Sequence, residues 1–355
     1  MTRMLERALY IAALALAVLC VTSLAQYAMA ATPIPQAPHD ALHAMGPQAG
    51  HIVDLWRVML WTCSLVFGAI LAALLFAILR APRADATAAP DLSAVDRAEP
   101  RVRRSVASAA VASALLLFAL ALASVFTDRA LARLSLAGAV NIEVTAHQWW
   151  WSARYLDGGH ADTFVTANEI HIPVGRPVNL QLKADDVIHS LWVPSLAGKK
   201  DLIPGRSASM QFRADTPGPY RGQCAEFCGF QHALMGLLVV ADPPAQYEAW
   251  VQAQRTPPAP PTGAKAIRGQ QLFQSTSCAM CHAIGGTIAS AQHAPDLTHL
   301  ASRSTLAAGT LANTPAQLAA WIADPQKHKP GVNMPSTPIS RDDLDALVAY
   351  LETLK

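Results

Sequence analysis

Several things are scarce in this chain of 355 residues. Net charge is small, since 27 Lys and Arg face 25 Asp and Glu and leave +2 with histidine neutral. That balance offers no basic face for nucleic acid, so no nucleic-acid partner is expected. Cysteine is scarce as well. Six cysteines in the whole chain do not make the dense disulfide framework of a small secreted module. Internal repeats are lacking, and a proline-rich stretch near residue 257 is the one biased segment. Apolar residues are abundant instead, at 52 %, and they gather in three runs.

The first run follows a basic start, residues 2–7, with an apolar core from Ala8 to Leu24 and the small-residue cleavage pattern Ala28-Met29-Ala30. This is the pattern of a secretory signal peptide over 1–30, cleaved before Ala31, with an uncleaved membrane helix as the alternative. Cys20 ends the apolar core, but bulky Leu19 before it argues against lipid modification. The second and third runs, Val58 to Leu79 and Val106 to Phe126, carry no charge. At about 1.5 Å per residue each can cross a hydrocarbon layer of about 30 Å. They predict a two-helix transmembrane hairpin within 31–134, with helices at about 53–79 and 105–127. Arg80, Arg83, Arg97, Arg101, Arg103 and Arg104 lie between the two. The positive-inside rule puts that loop in the cytoplasm and both flanking segments outside.

The densest chemistry is the segment C-A-E-F-C-G-F-Q-H-A-L-M, which brings Cys224, Glu226, Cys228, His232 and Met235 together, with His189 upstream. Two thiolates, two imidazoles and a thioether are soft donors suited to copper. A structural zinc would use four tetrahedral ligands and gain little from a thioether, so zinc is the weaker alternative. A mononuclear blue copper site leaves one cysteine over. Two coppers bridged by both thiolates use the whole set, with one imidazole on each ion and Met235 and a backbone carbonyl as weak ligands.

That segment resembles the dinuclear copper A site of cytochrome c oxidase subunit II. The resemblance implies a cupredoxin fold and the ligand set His189, Cys224, Glu226 through its carbonyl, Cys228, His232 and Met235. It also implies that the Glu226 carboxylate faces a magnesium site shared with subunit I. The run His147-Gln148-Trp149-Trp150-Trp151 is similar to the family's H-Q-W-x-W, which makes Trp149 the candidate for receiving electrons, while burial in a core is the other reading for these aromatics. Asp186 matches a family acid near subunit I and reads equally as a solvated turn residue.

Further along, S-C-A-M-C-H supplies Cys278, Cys281 and His282. C-x-x-C-H is the spacing of covalent haem c attachment, with two thioether cysteines and an axial histidine. Met334 in K-P-G-V-N-M-P is the expected sixth ligand, on a loop stiffened by Pro330 and Pro335. His293, His299 and His328 are alternatives, otherwise expected on solvated loops. The stretch from Trp321 to Pro335 is similar to small class I cytochromes c.

Short extended segments at Asn141–Ala146, Glu169–Pro173, Pro177–Lys183, Ala208–Arg213 and Leu237–Val240 predict a β-sandwich or barrel over 135–242. Pro243–Gly263 reads as an extended proline-rich linker. Residues 264–355 then read as helical, with a capping box at Ser340 and Asp343 and an apolar stripe of Leu344, Leu347, Val348 and Leu351. The expected fold is a multidomain membrane protein: a transmembrane hairpin, an all-β cupredoxin domain and an all-α class I cytochrome c domain.

The resemblance as a whole is to subunit II of a caa3-type oxidase. It implies electrons passing from cytochrome c through haem c and dinuclear copper to subunit I, where oxygen is reduced to water and protons are pumped. Implied partners are subunit I, subunit III, a cytochrome c donor and membrane lipid, in a bacterial inner membrane with both cofactor domains in the periplasm. Alternatives are a membrane-tethered electron carrier and a copper A subunit of a nitric oxide reductase.

Overall fold

The computed structural model describes residues 39–81, 100–157 and 163–355. The expected signal peptide, Cys20, Arg83 and Arg97 lie outside those residues. Helices α1 (Pro47–Arg80) and α2 (Pro100–Leu131) contain the two apolar runs and extend beyond them at both ends. Each holds an 18-residue window of mean hydropathy 2.5 or 2.4, with none of that window buried. Bare Trp61, Leu65, Phe67 and Phe118 around such helices are the signature of lipid-facing surface. The segment leading into α1 and its first turn instead grip the β-domain: Met45 N–H donates to Ser195 O (2.8 Å) and Ala49 N–H to Leu196 O (3.1 Å). Gly46 permits this approach, because a Cβ there would lie 2.0 Å from Arg213 O.

The β-domain is two five-stranded sheets face to face. One runs β3 (Phe164–Ala167), β2 (Trp150–Tyr155), β1 (Val140–His147), β5 (Val178–Ala184), β8 (Ala208–Phe212). The other runs β4 (Glu169–Pro173), β10 (Gly236–Asp242), β9 (Gly218–Cys224), β6 (His189–Trp192), β7 (Lys200–Leu202). β1 pairs in parallel with β5 so that Ile142 meets Leu180 and Val144 meets Leu182. Strict alternation in β1 buries Val140, Ile142, Val144 and Ala146, the period-two pattern of a strand with one face in a core. Trp151, Tyr220, Phe212, Ile170 and Ile172 fill the space between the sheets.

The expected linker is corrected at its first half. Residues Pro244–Arg255 form helix α3, which buries Tyr247 and Val251. Proline is tolerated in the first turn of a helix, and the following A-Q-Y-E-A-W-V-Q-A-Q places apolar side chains four apart. Only 256–263 is left as a proline-rich connection.

The C-terminal domain packs α4 (Ala264–Ser275) across α8 (Arg341–Leu351), with short α5 (Cys278–Cys281), α6 (Pro315–Ala323) and α7 (Pro325–His328) and a small hairpin, β11 (Thr305–Leu306) and β12 (Leu311–Ala312). Gly269 makes the crossing close, since a Cβ there would meet Ala346 O at 2.0 Å. Leu347, Val348, Tyr350 and Leu351 form the buried face of α8, and the Ser340 hydroxyl caps it by accepting from Asp343 N (3.1 Å).

Candidate metal centre

The ladder of the second sheet gathers the soft donors. His189 opens β6 and Cys224 closes β9, strands paired through Leu191 and Cys224. The chain then loops through Glu226 and Cys228, makes a short 3-10 turn at His232–Leu234 and re-enters the sheet after Met235. Backbone bonds shape that loop: Cys224 N–H donates to Met235 O and Ala225 N–H to Ser190 O. Gly229 supplies a positive φ of 112° in the middle of it.

The resulting distances suit a two-sulfur core. The Cys224 and Cys228 sulfurs are 3.7 Å apart. His189 Nδ1 lies 3.8 Å from Cys224 Sγ, and His232 Nδ1 lies 3.7 Å from Cys228 Sγ. The Cys224 thiol points at Glu226 O (3.2 Å), and Met235 Sδ is 3.8 Å from Cys228 Sγ. The ligand atoms of His189, Cys224 and Cys228 all lie within 4.8 Å of one another. All six predicted positions therefore converge, with His189 and Met235 at 0 % exposure.

Electrostatics favour a cation. The hydrogen bond from Cys228 holds the Cys224 thiol far down, to about 3, against burial. Cys228 is pushed up by the same contact and by burial. The pair loses one proton readily and the second only with a positive charge between the sulfurs, which is what metal binding supplies. Asp186 orients His189: its Oδ1 is 2.8 Å from Nε2, and its Oδ2 accepts from Gln148 N at 2.6 Å. That contact leaves Nδ1 toward the sulfurs, the usual task of a carboxylate behind a ligand histidine. Asp186 lies exposed in a bend, as a solvated turn residue would, and is also bonded to the centre through His189.

Trp149 is 6 % exposed and Trp151 fully buried, so the core reading holds for both. Trp150 stacks on His147 at 4.2 Å. Trp149 also touches the centre, since its indole N–H donates to Cys228 O (2.9 Å), an acceptor shared with Gln148 Nε2 (2.8 Å). The Gln148–Trp149 peptide is cis. The supporting role of Gln148 was missed from the sequence, although it sits beside the tryptophan that drew attention.

In the C-terminal domain, Cys278 and Cys281 frame the one-turn helix α5, the first half-buried and the second exposed. His282 N–H continues the turn to Cys278 O (3.0 Å). Its Nδ1 donates to Pro295 O at 2.7 Å, which leaves Nε2 as the free donor atom. Burial lowers its pKa and keeps the ring neutral, the form that binds iron. Met334 is half-buried on a loop held by Gln326, whose Nε2 donates to Val332 O and Met334 O, both at 2.8 Å. Met280 is 72 % exposed. One expectation is corrected: His299 is not on a solvated loop. It is 3 % exposed, wedged between Lys355 O (2.8 Å) and Gln254 O (3.2 Å), where it ties α3 to the last residue.

A soft-donor cluster at one end of a cupredoxin-like sandwich, a C-x-x-C-H helical domain behind it and two apolar helices ahead of it define a membrane-anchored protein of the cupredoxin and c-type cytochrome class. Residues 140–242 match the family described as cytochrome c oxidase subunit II, periplasmic domain, and residues 266–355 match cytochrome c. The chain thus carries a region similar to the subunit II periplasmic domain, followed by a region similar to cytochrome c. Relatives include cytochrome c oxidase subunit 2 of Alkalihalophilus pseudofirmus, 43 % identical over 217 residues (61 % of each chain). The protein of the same name from Bacillus sp. strain PS3 is 33 % identical over 228 residues, 61 % of this chain and 62 % of that one. The chain thus spans about three fifths of the length of these curated relatives. A solved periplasmic domain of cytochrome oxidase subunit II from Bradyrhizobium japonicum is similar over 33 % of this chain and 93 % of its own, at 30 % identity and a TM-score of 0.31.

Proposed function

We propose that this chain is the electron-accepting subunit of an aa3/caa3-type cytochrome c oxidase in a bacterial inner membrane, working with subunit I and subunit III. When bound, a haem c and a dinuclear copper A centre supply one-electron chemistry that links a cytochrome c donor to oxygen reduction and proton pumping in subunit I. Cys278 and Cys281 would carry the haem covalently, and His282 and Met334 would bind its iron. His189, Cys224, Cys228, His232, Met235 and the Glu226 carbonyl would hold the coppers, and the Glu226 carboxylate would reach a shared magnesium.

The observation that carries this reading is the pairing of each thiol with its own imidazole around a sulfur–sulfur separation of 3.7 Å. Two thiols, each beside its own imidazole, would suit two metals that exchange an electron with little movement, because His189 and Cys224 are set on paired strands and the loop between Cys224 and Met235 is held by backbone bonds. Asp186 fixes the His189 ring, and the hydrogen bond from Trp149 to the Cys228 carbonyl supports Trp149 as the residue through which electrons would arrive.

The test is electron paramagnetic resonance of the full chain loaded with haem and copper. A hyperfine pattern from one electron shared by two copper nuclei is expected, and a mononuclear pattern in a fully loaded sample would sink the reading. For the haem, Met334→Ala should remove the ferric sulfur-to-iron charge-transfer band in the red, and survival of that band would exclude Met334.

A further inference from the structure

Lys329 is 1 % exposed, the most deeply buried charged side chain among the described residues. An ammonium out of water is tolerated only when its donors are met. Here they are. Nζ donates to Leu234 O (2.9 Å), Trp149 O (3.3 Å) and Ala307 O (3.3 Å), three acceptors for three N–H groups. Leu234 and Trp149 belong to the β-domain, and Ala307 belongs to the C-terminal domain with the lysine itself.

We infer that Lys329 is a positioning residue that fixes the C-terminal domain on the copper-ligand end of the β-domain. Its partners are the reason. Trp149 is bonded to Cys228, Leu234 precedes Met235, and the loop of Lys329 leads in five residues to Met334. One side chain thus joins the segments that carry the candidate ligands of both sites.

The surroundings form a seal around this pin. Gly236 N–H donates to Ala308 O (2.9 Å), Ser304 N–H to Glu169 Oε2 (2.9 Å), and Asn333 Nδ2 to Gln148 O (2.9 Å), while Gln231 reaches Pro330 O. The carbonyls taken by Lys329 and Gly236 come from a turn in which Ala307, Ala308 and Gly309 all have positive φ, 52°, 57° and 76°. Alanine resists that region, so the turn is held by its contacts across the boundary. Burial lowers the lysine pKa to about 8, which leaves the charged form, with all three donors, in the majority at pH 7. A tether of residues 256–263 alone would leave the two domains free to separate. The docking stands on this geometry. Its use, a fixed separation between the two cofactor sites, rests on the proposed function.

The experiment is hydrogen exchange on the full chain with haem and copper loaded, comparing wild type with Lys329→Met and Lys329→Gln. Losing a set of charge-assisted bonds should lower the ratio of docked to separated domains about tenfold or more. Peptides holding the Gly236 and Ser304 amides, which donate across the boundary, should therefore exchange about tenfold faster. Peptides of α4 and α8, and the haem and copper spectra, should stay as in wild type. Unchanged protection at Gly236 and Ser304 would overturn the proposal. So would loss of protection throughout α4 and α8, or failure of both variants to load, since Lys329 would then be needed for folding and not for docking. A failure of the functional reading is separate, because it appears in the copper spectrum of the wild type.

Discussion

The two domains outside the membrane-spanning helices hold their candidate ligands in opposite ways. In the β-domain the donors come from strand ends and one loop, and the sulfurs and the His189 ring lie buried, with His232 half-buried, all within 4 Å of their neighbours. In the C-terminal domain Cys281 is exposed, Cys278 and Met334 are half-buried, and His282 is fixed by a hydrogen bond of its ring, with the Cys278 sulfur accepting a longer one from Thr276 (3.4 Å). The difference matches the chemistry each would perform. A metal ion is captured best by donors that need not move, whereas thiols that must react with a cofactor have to be reachable.

The strongest way to break this comparison is Cys224→Ser. If the β-domain holds the proposed copper pair, loss of one thiol should reduce bound copper to one ion or none and abolish electron delivery from the β-domain, by metal analysis and stopped-flow absorbance. Haem content should not change. If haem attachment also fails, the two sites are not independent and the contrast between them collapses.

Gly269→Ala attacks the other side. The added Cβ would sit 2.0 Å from the Ala346 carbonyl, backbone that cannot swing away. Overpacking of this kind costs about 1–3 kcal/mol and can cost more. Denaturant titration followed at the haem should register it, with the copper transition unmoved. Asp186→Asn has a smaller expected effect on the β-domain. It removes the charge behind His189 while keeping the shape, and should weaken copper affinity about 10–100-fold. An unchanged affinity would mean that the strand ladder alone orients the ring.

Much of this was legible in the sequence because ligand chemistry is local. Cys224 to Met235 and Cys278 to His282 are short segments whose spacing carries the meaning. The strands beginning at Asn141 and Glu169 showed themselves through alternation, whereas β2, β3 and β9 were not expected, and β6 and β7 are too short to set a pattern: β6 forms because β9 pairs beside it, and β7 because it pairs with β6. Helix α3 was hidden by its flanking prolines, which mark a helix start as readily as a linker. Lys329 and His299 could not be read at all. Their partners, Trp149, Leu234, Gln254 and Lys355, are distant in the chain, and backbone carbonyls leave no trace in side-chain identity.

The finest test concerns pH at the boundary between the domains. His171 lies between Asp242 (Nδ1 to Oδ2, 2.6 Å) and Glu169 (Nε2 to Oε1, 3.1 Å), with its ring on Trp250 at 4.3 Å. Burial alone would lower its pKa, but the bonds to Asp242 and then Glu169 outweigh burial and raise it. Because the folded value lies above the unfolded one of about 6.5, the stabilisation is complete below that pH. It is lost as pH rises through the folded value, and amounts to about 1.4 kcal/mol for each pH unit separating the two values. Unfolding of the β-domain, followed by tryptophan fluorescence, should therefore become easier from pH 6 toward pH 9, and His171→Gln should flatten that slope. Glu169 also accepts Ser304 N–H from the C-terminal domain. If the haem transition shows the same slope and loses it in His171→Gln, the boundary transmits the effect; if it shows none, the two domains are stabilised separately despite their docking.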